Sequence, residues 1–183
     1  MRVGFRICAI ACIVAFVALG APGHDDGIAW GPVDHGLKFG IAFGPSTPDP
    51  QLRLVFQNVD KTDCLLPLGS TSAKGPVYDI EFTLTSPAGQ QFPVFNFNGP
   101  PGIQPVAQPI QIAIPKGQKH EVLLSAKKLI YLDNGKSHPL PEMLAQHYSV
   151  HASVDTSGDA RWTRTRGQWM GKVTTGELRL PAK

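Results

Sequence analysis

Apolar and polar residues alternate along several short segments of the chain, and a period of two is typical of half-buried β-strands. Two segments show the pattern most clearly, Val77–Thr85 and His147–Asp155. Each predicts one strand with one face against a core. The predicted inward residues are Tyr78, Ile80, Phe82 and Leu84 in the first segment and Tyr148, Val150, Ala152 and Val154 in the second.

Shorter alternating segments predict further strands. They are Leu37–Phe43, expected to be the first strand of the fold, Gln51–Asn58, Gln91–Phe97, Ile110–Ile114 and His120–Ser125. Ser86–Gly89 has the early proline and late glycine of a tight turn, which predicts a hairpin. Cys64–Gly69 is expected at a sheet edge or strand end, because Pro67 has no amide hydrogen to donate.

The segment before Tyr148 is less regular. Ala126–Leu132 is compatible with a helical turn or a strand, since short apolar runs do not decide by periodicity. Asp133–Lys136 predicts a turn. Pro139–Gln146 predicts a short helix with prolines near its start, where a missing donor matters least.

Many short strands between glycine and proline turns favour an all-β fold, an antiparallel β-sandwich, with a closed barrel as the alternative. Tyr148 would begin a late strand just after a short helix, a position that resembles the tyrosine corner of immunoglobulin-like domains. The chain therefore resembles exported bacterial immunoglobulin-like domains over Leu37–Leu180. In general layout it also resembles BsuPI-type proteinase-inhibitor domains, although no inhibitory loop is matched.

The first twenty residues have the layout of a secretory signal peptide: Arg2 and Arg6, an apolar run, then small residues up to Gly20. The expected organisation is a signal peptide over residues 1–20, a lead-in segment over 21–36 and one immunoglobulin-like domain over 37–183. The alternative is an uncleaved membrane anchor. No second long apolar stretch occurs, so the mature chain is expected to lack a transmembrane segment and to be secreted or periplasmic.

Charge and cysteine content narrow the function classes. Loss of Arg2 and Arg6 lowers the formal net charge from +3 to +1, which argues against a nucleic-acid partner. Cys64 is then the one remaining cysteine. Its leucine neighbours predict a buried thiol, with an intermolecular disulfide as the alternative.

Familiar catalytic and metal motifs are missing from the sequence. The pair His120-Glu121 lacks the second histidine of a zinc-protease helix. On a strand, His147 and His151 would be about 13 Å apart, too far to share one ion. Cys64 would need a histidine close in space to act as a nucleophile. We therefore predict no catalytic residue, no cofactor and no metal ligand.

Two surfaces are candidate binding sites. Arginine and tryptophan side chains near the carboxyl terminus combine charge with aromatic rings, a combination suited to an anionic glycan, a lipid headgroup or an acidic protein. These residues are Arg161, Trp162, Arg164, Arg166 and Trp169. The alternative is that Trp162 and Trp169 pack into the core while the arginines form an exposed rim.

The second candidate is the proline-rich loop that ends at Pro109, with Phe95 and Phe97 at its entrance. A stiff loop loses little entropy on binding. The alternative is a loop that only covers one end of the sandwich.

The sequence thus predicts a non-catalytic, exported binding module for an unknown protein or glycan of the cell envelope. The first alternative is a proteinase-inhibitor-like regulator of an envelope enzyme. The second is a metal-binding or enzymatic envelope protein.

Overall fold

The computed structural model describes residues 27–45, 49–72, 75–96, 108–158 and 167–180. These residues form thirteen β-strands, one short α-helix and one 3-10 turn at Ala126–Lys128. The predicted all-β class and the short helix before Tyr148 are confirmed. The elements are β1 (Ala29–Asp34), β2 (Leu37–Phe43), β3 (Gln51–Asn58), β4 (Cys64–Ser72), β5 (Gly75–Tyr78), β6 (Glu81–Thr85), β7 (Gln91–Asn96), β8 (Pro109–Ile114), β9 (Lys119–Ser125), β10 (Leu129–Asp133), β11 (Lys136–Pro139), α1 (Leu140–Ala145), β12 (Ser149–Asp155) and β13 (Lys172–Thr174).

The strands form three antiparallel sheets. The first sheet has the order β1-β2-β3-β9, the second β11-β10-β7-β6-β12-β13, and the third β5-β4-β8. Their inner faces enclose one continuous apolar core, the arrangement of a β-sandwich. Within the described residues, no helix has the length and apolar character needed to cross a membrane.

The core is centred on stacked aromatic rings from the first sheet. The rings of Phe39 and Phe56, which are register partners on β2 and β3, lie 4.2 Å apart and nearly parallel. Both side chains are fully buried. Burying one such side chain stabilises the fold by about 1.5–3 kcal/mol. Alternation places these apolar side chains on one face of the sheet, and that face is the one that packs in the core.

Val77–Thr85 is two strands, and the prediction of a single strand is wrong. Gly75–Tyr78 pairs with β4 in the third sheet, whereas Glu81–Thr85 pairs with β7 and β12 in the second. The alternation itself holds across the crossing, because Ile80, Phe82 and Leu84 are all buried. A period of two reports which face is buried and carries no information about which strand is the neighbour.

The prediction of an edge position for Cys64–Gly69 is also wrong, since β4 is the central strand of the third sheet. The pairing with β8 shifts register between Pro67 and Gly69. The regular ladder of hydrogen bonds is therefore interrupted next to Pro67, the residue that has no amide hydrogen to donate. Gly69 has φ +151°, and a Cβ atom there would collide with the carbonyl oxygen of Val77.

Leu37–Phe43 is the second strand, so the prediction that it is the first is wrong. Residues 29–34, part of the expected lead-in segment, form β1 and pair with β2. Here too a proline is accommodated by a register shift, which falls between Trp30 and Val33 and includes Pro32. The glycine-rich and proline-rich composition of this segment hid the strand.

The predicted turns are confirmed. Gly89, with φ +84°, donates to the carbonyl of Ser86 at 2.9 Å and closes the β6–β7 hairpin. Asn134 and Gly135 have φ +46° and +77°, the left-handed pair of a tight hairpin turn between β10 and β11. The ambiguous segment before them contains both candidates, a 3-10 turn and then β10.

The strand around Tyr148 begins later than predicted. Both His147, with φ +65°, and Tyr148 precede β12, which starts at Ser149. The Tyr148 amide donates to the carbonyl of Met143 at 3.3 Å. In the described part of the chain the Tyr148 hydroxyl makes no hydrogen bond to backbone, so the bond that defines a tyrosine corner is not found there. Val150, Ala152 and Val154 are buried as predicted.

Candidate binding surface

Only part of the two predicted binding surfaces falls within the described structure. Arg161, Trp162, Arg164, Arg166 and Phe97 lie outside the described residues. Phe95 and Trp169 are described, and they have opposite environments.

Trp169 is a core residue. Its side chain is only 5% exposed. The indole nitrogen donates to the carbonyl of Asp34 at 3.2 Å, and the backbone amide donates to the carbonyl of Leu65 at 2.9 Å. The ring therefore ties β1 to the carboxyl-terminal segment and is not free to stack on a ligand. This placement agrees with the alternative that Trp169 packs into the core.

Phe95, in contrast, is 51% exposed on the outer face of the second sheet. It lies on β7 between the inward Val94 and Asn96 and is directly opposite Ile130 of β10. Ile130 is in turn opposite Pro139 of β11. Register partners point to the same face of an antiparallel sheet, so these three residues form one apolar row across three neighbouring strands.

Two more apolar residues extend this row. Pro93 lies two positions before Phe95, and Leu132 lies two positions after Ile130, so both share the outer face. Leu132 is 54% exposed, and Pro93 is exposed. We call this surface the apolar strip; it consists of Pro93, Phe95, Ile130, Leu132 and Pro139.

The strip lacks charge and has a polar border. None of its residues is ionisable, while Thr83, the register partner of Pro93, and His151, the partner of Thr83, continue the same face. Isolated exposed apolar residues are common on protein surfaces, but contiguous ones mark contact sites more often. Covering a phenylalanine and a leucine that are half exposed would contribute a few kcal/mol.

Sequence reasoning found one member of the strip and missed the others. Pro93, Ile130, Leu132 and Pro139 are brought together with Phe95 by the β7–β10–β11 pairing. The signal that would have found them is the Asn134-Gly135 hairpin, which places Ile130 opposite Pro139 once β10 is assigned as a strand.

A separate cleft of about 290 Å³ lies where the loop after β3 meets the segment before β13. Cys64 and His35 both line it. Within the described residues, no hydrogen bond joins the Cys64 thiol to the imidazole of His35. Cys64 is half-buried, and burial together with the nearby Asp60 carboxylate raises its pKa to about 11. The thiol is thus protonated at neutral pH and is a poor nucleophile.

Asn58 links the two segments on one side of this cleft through side-chain hydrogen bonds. Its side chain is fully buried and donates to the carbonyls of Thr62 and Ile114 at 2.8 and 2.9 Å. Its side-chain oxygen accepts from the amide of Asp60 at 3.0 Å. One amide therefore joins the loop after β3 to the end of β8.

No group of three or more histidine, cysteine, aspartate or glutamate side chains within the described ranges is arranged to hold a metal ion. Comparisons with protein-family models, with curated proteins and with solved structures found no match. Function is therefore inferred from the surface chemistry of the chain itself.

Proposed function

We propose that this protein is an exported, non-catalytic module that binds a protein partner through the apolar strip. The observation that carries the proposal is the row of Phe95, Ile130 and Pro139 across three strands, with exposed Leu132 beside it. An immunoglobulin-like identity belongs to the same proposal and is supported by the antiparallel sandwich.

The partner that fits this surface presents apolar side chains. The strip offers no charge to pair with, so affinity would come from removing apolar area from water. The apolar strip lies on paired strands whose backbone is already ordered, so little conformational entropy is lost on binding. Thr83 and His151 supply hydrogen-bonding groups at the border, as in the polar rim of protein interfaces.

Export is supported by residues 1–20, whose basic start, apolar run and small residues are typical of a signal peptide. The partner is then a protein of the cell envelope. The inhibitor alternative uses the same Phe95, which leads into the proline-rich loop, and it differs in one outcome: the partner would be a protease whose activity falls on binding.

Site-specific cross-linking tests the proposal. A photoreactive phenylalanine analogue is placed at Phe95, at Leu132 or at Val59, a control residue that is 45% exposed away from the strip. Envelope extract is then irradiated with each variant. We expect the probe at position 95 or 132 to cross-link to the same single protein other than this chain, and the probe at position 59 to form no such adduct. The adduct at position 95 should be lost in Leu132→Ser, and the adduct at position 132 should be lost in Phe95→Ser.

Equal adducts from all three positions would overturn the proposal. So would an adduct formed only with a second copy of this chain, since the strip would then serve self-association.

A further inference from the structure

We further propose that the outer face of the first sheet binds an acidic polysaccharide, through two lysines that converge on Trp30. This surface is separate from the apolar strip, which belongs to the second sheet. The inference is therefore independent of the protein partner proposed above.

The Trp30 indole packs against the sheet at a glycine. Trp30 on β1 and Gly40 on β2 are register partners. A Cβ atom on Gly40 would be 2.6 Å from the indole Cε3 of Trp30, closer than real contacts allow. The absence of a side chain at Gly40 thus lets the indole pack against the backbone of β2.

Two ammonium groups approach this ring from different strands. The Nζ atoms of Lys38 on β2 and Lys119 on β9 lie 4.6 and 5.2 Å from the ring centroid. The negative face of the indole attracts each cation. It does not neutralise them, and the two nitrogens can be no farther apart than the sum of those two distances.

The described residues provide no carboxylate for either lysine. Neither Lys38 nor Lys119 forms an ion pair in the described part of the chain. The acidic residue nearest along β9, Glu121, is directed to Arg53 at 3.8 Å. Two ammonium groups at one aromatic ring, with no carboxylate of the described residues paired to either, are suited to charge-assisted hydrogen bonds with an anionic ligand.

The shape of the surface favours a polymer of acidic sugars. Lys38, Gln57 and Lys119 are register partners in one row across β2, β3 and β9. Neighbouring strands are about 4.8 Å apart, so the three side chains leave the same face of the sheet side by side, and both lysines extend from this row to the Trp30 ring. Carboxylates on an extended sugar chain would bind the ammonium groups, and sugar hydroxyls would bind the Gln57 amide.

Calorimetric titration of the mature chain with polygalacturonate, a carboxylated polysaccharide, at low salt tests the site. Neutral dextran is the uncharged comparison. We expect binding of polygalacturonate only, weakened by added salt as exposed charges are screened. The double variant Lys38→Gln/Lys119→Gln should bind about tenfold more weakly, because two charge-assisted contacts are lost.

The matched control is Lys128→Gln/Lys136→Gln, which removes the same charge from two exposed lysines in the 3-10 turn and on β11. It should bind like the unmodified chain. Thermal unfolding of each variant verifies that it is folded.

Three results would overturn the site. They are no binding of polygalacturonate by the unmodified chain, an equal loss in the control pair, or binding to vesicles of anionic phospholipid without binding to the polysaccharide.

Discussion

Replacing Asn58 by alanine should destabilise the protein more than any other single polar substitution near the cleft. The change removes the two donors to Thr62 and Ile114 and the acceptor for Asp60, all from a side chain with no exposed surface. Each lost hydrogen bond costs about 0.5–1.5 kcal/mol, and carbonyls left buried without a partner add to this. We expect the free energy of unfolding to fall by about 2–4 kcal/mol.

Urea denaturation followed by tryptophan fluorescence measures this loss. The matched control is Thr62→Ala, because Thr62 takes part through its backbone carbonyl and its side chain is exposed. The control should change stability by less than about 0.5 kcal/mol. A loss in Asn58→Ala no larger than in the control would refute the assignment of Asn58 as the residue that joins the loop to β8.

Three further predictions follow from the fold and the cleft. Tyr148→Phe should leave the melting temperature nearly unchanged, because the Tyr148 hydroxyl makes no hydrogen bond to described backbone. A fall of about 1 kcal/mol in the free energy of unfolding would instead support a tyrosine corner. The rate of alkylation of the Cys64 thiol by iodoacetamide should be low at pH 8 and rise with a midpoint near pH 11, since only the thiolate reacts. Asp60→Asn removes a charge that raises the pKa of Cys64, so it should shift this midpoint to lower pH. An unchanged midpoint would contradict the role of Asp60. Gly69→Ala should cost about 2 kcal/mol or more in thermal unfolding, because the new Cβ collides with Val77, whereas Gly117→Ala meets open space and should lose only the smaller cost of its positive φ.

The sequence pattern predicts burial better than it predicts pairing. Alternation identified Ile80, Phe82 and Leu84 as inward residues, and all three are buried. It did not show that the chain leaves the third sheet for the second between Tyr78 and Glu81. The facing strand is chosen by long-range packing, and no local spacing encodes that choice.

Two strands of the fold contain a proline that argues against a strand in the sheet interior. The glycine-rich and proline-rich composition around Pro32 predicts a lead-in where β1 lies, and Pro67 predicts an edge strand where β4 lies. In both strands a register shift at the proline removes the need for its amide hydrogen. The rule that excludes proline from sheet interiors applies to regular ladders, and a bulge is its exception.

The candidate surfaces were only partly accessible to sequence reasoning. The proline-rich loop after Phe95 points to that residue, but the pattern over Ala126–Leu132 does not decide between helical turn and strand. The sequence also predicts Pro139 at the start of the helix, so it does not bring Ile130 and Pro139 next to Phe95. Trp30 and Lys119 are even more distant in sequence and meet only because β9 pairs with β3. Contacts between strands that are remote in sequence have no signature in a single chain.

The central claim is that the apolar strip is the docking surface. Its most direct test is the affinity of the cross-linked partner, once identified, for the double variant Phe95→Ser/Leu132→Ser. We expect at least tenfold weaker binding, about 1.4 kcal/mol, with little dependence on salt because the strip carries no charge.

The control is Val33→Ser/Val59→Ser, which changes two valines that are 54% and 45% exposed elsewhere on the surface. Unchanged affinity in the strip variant, or the same loss in this control, would contradict the claim.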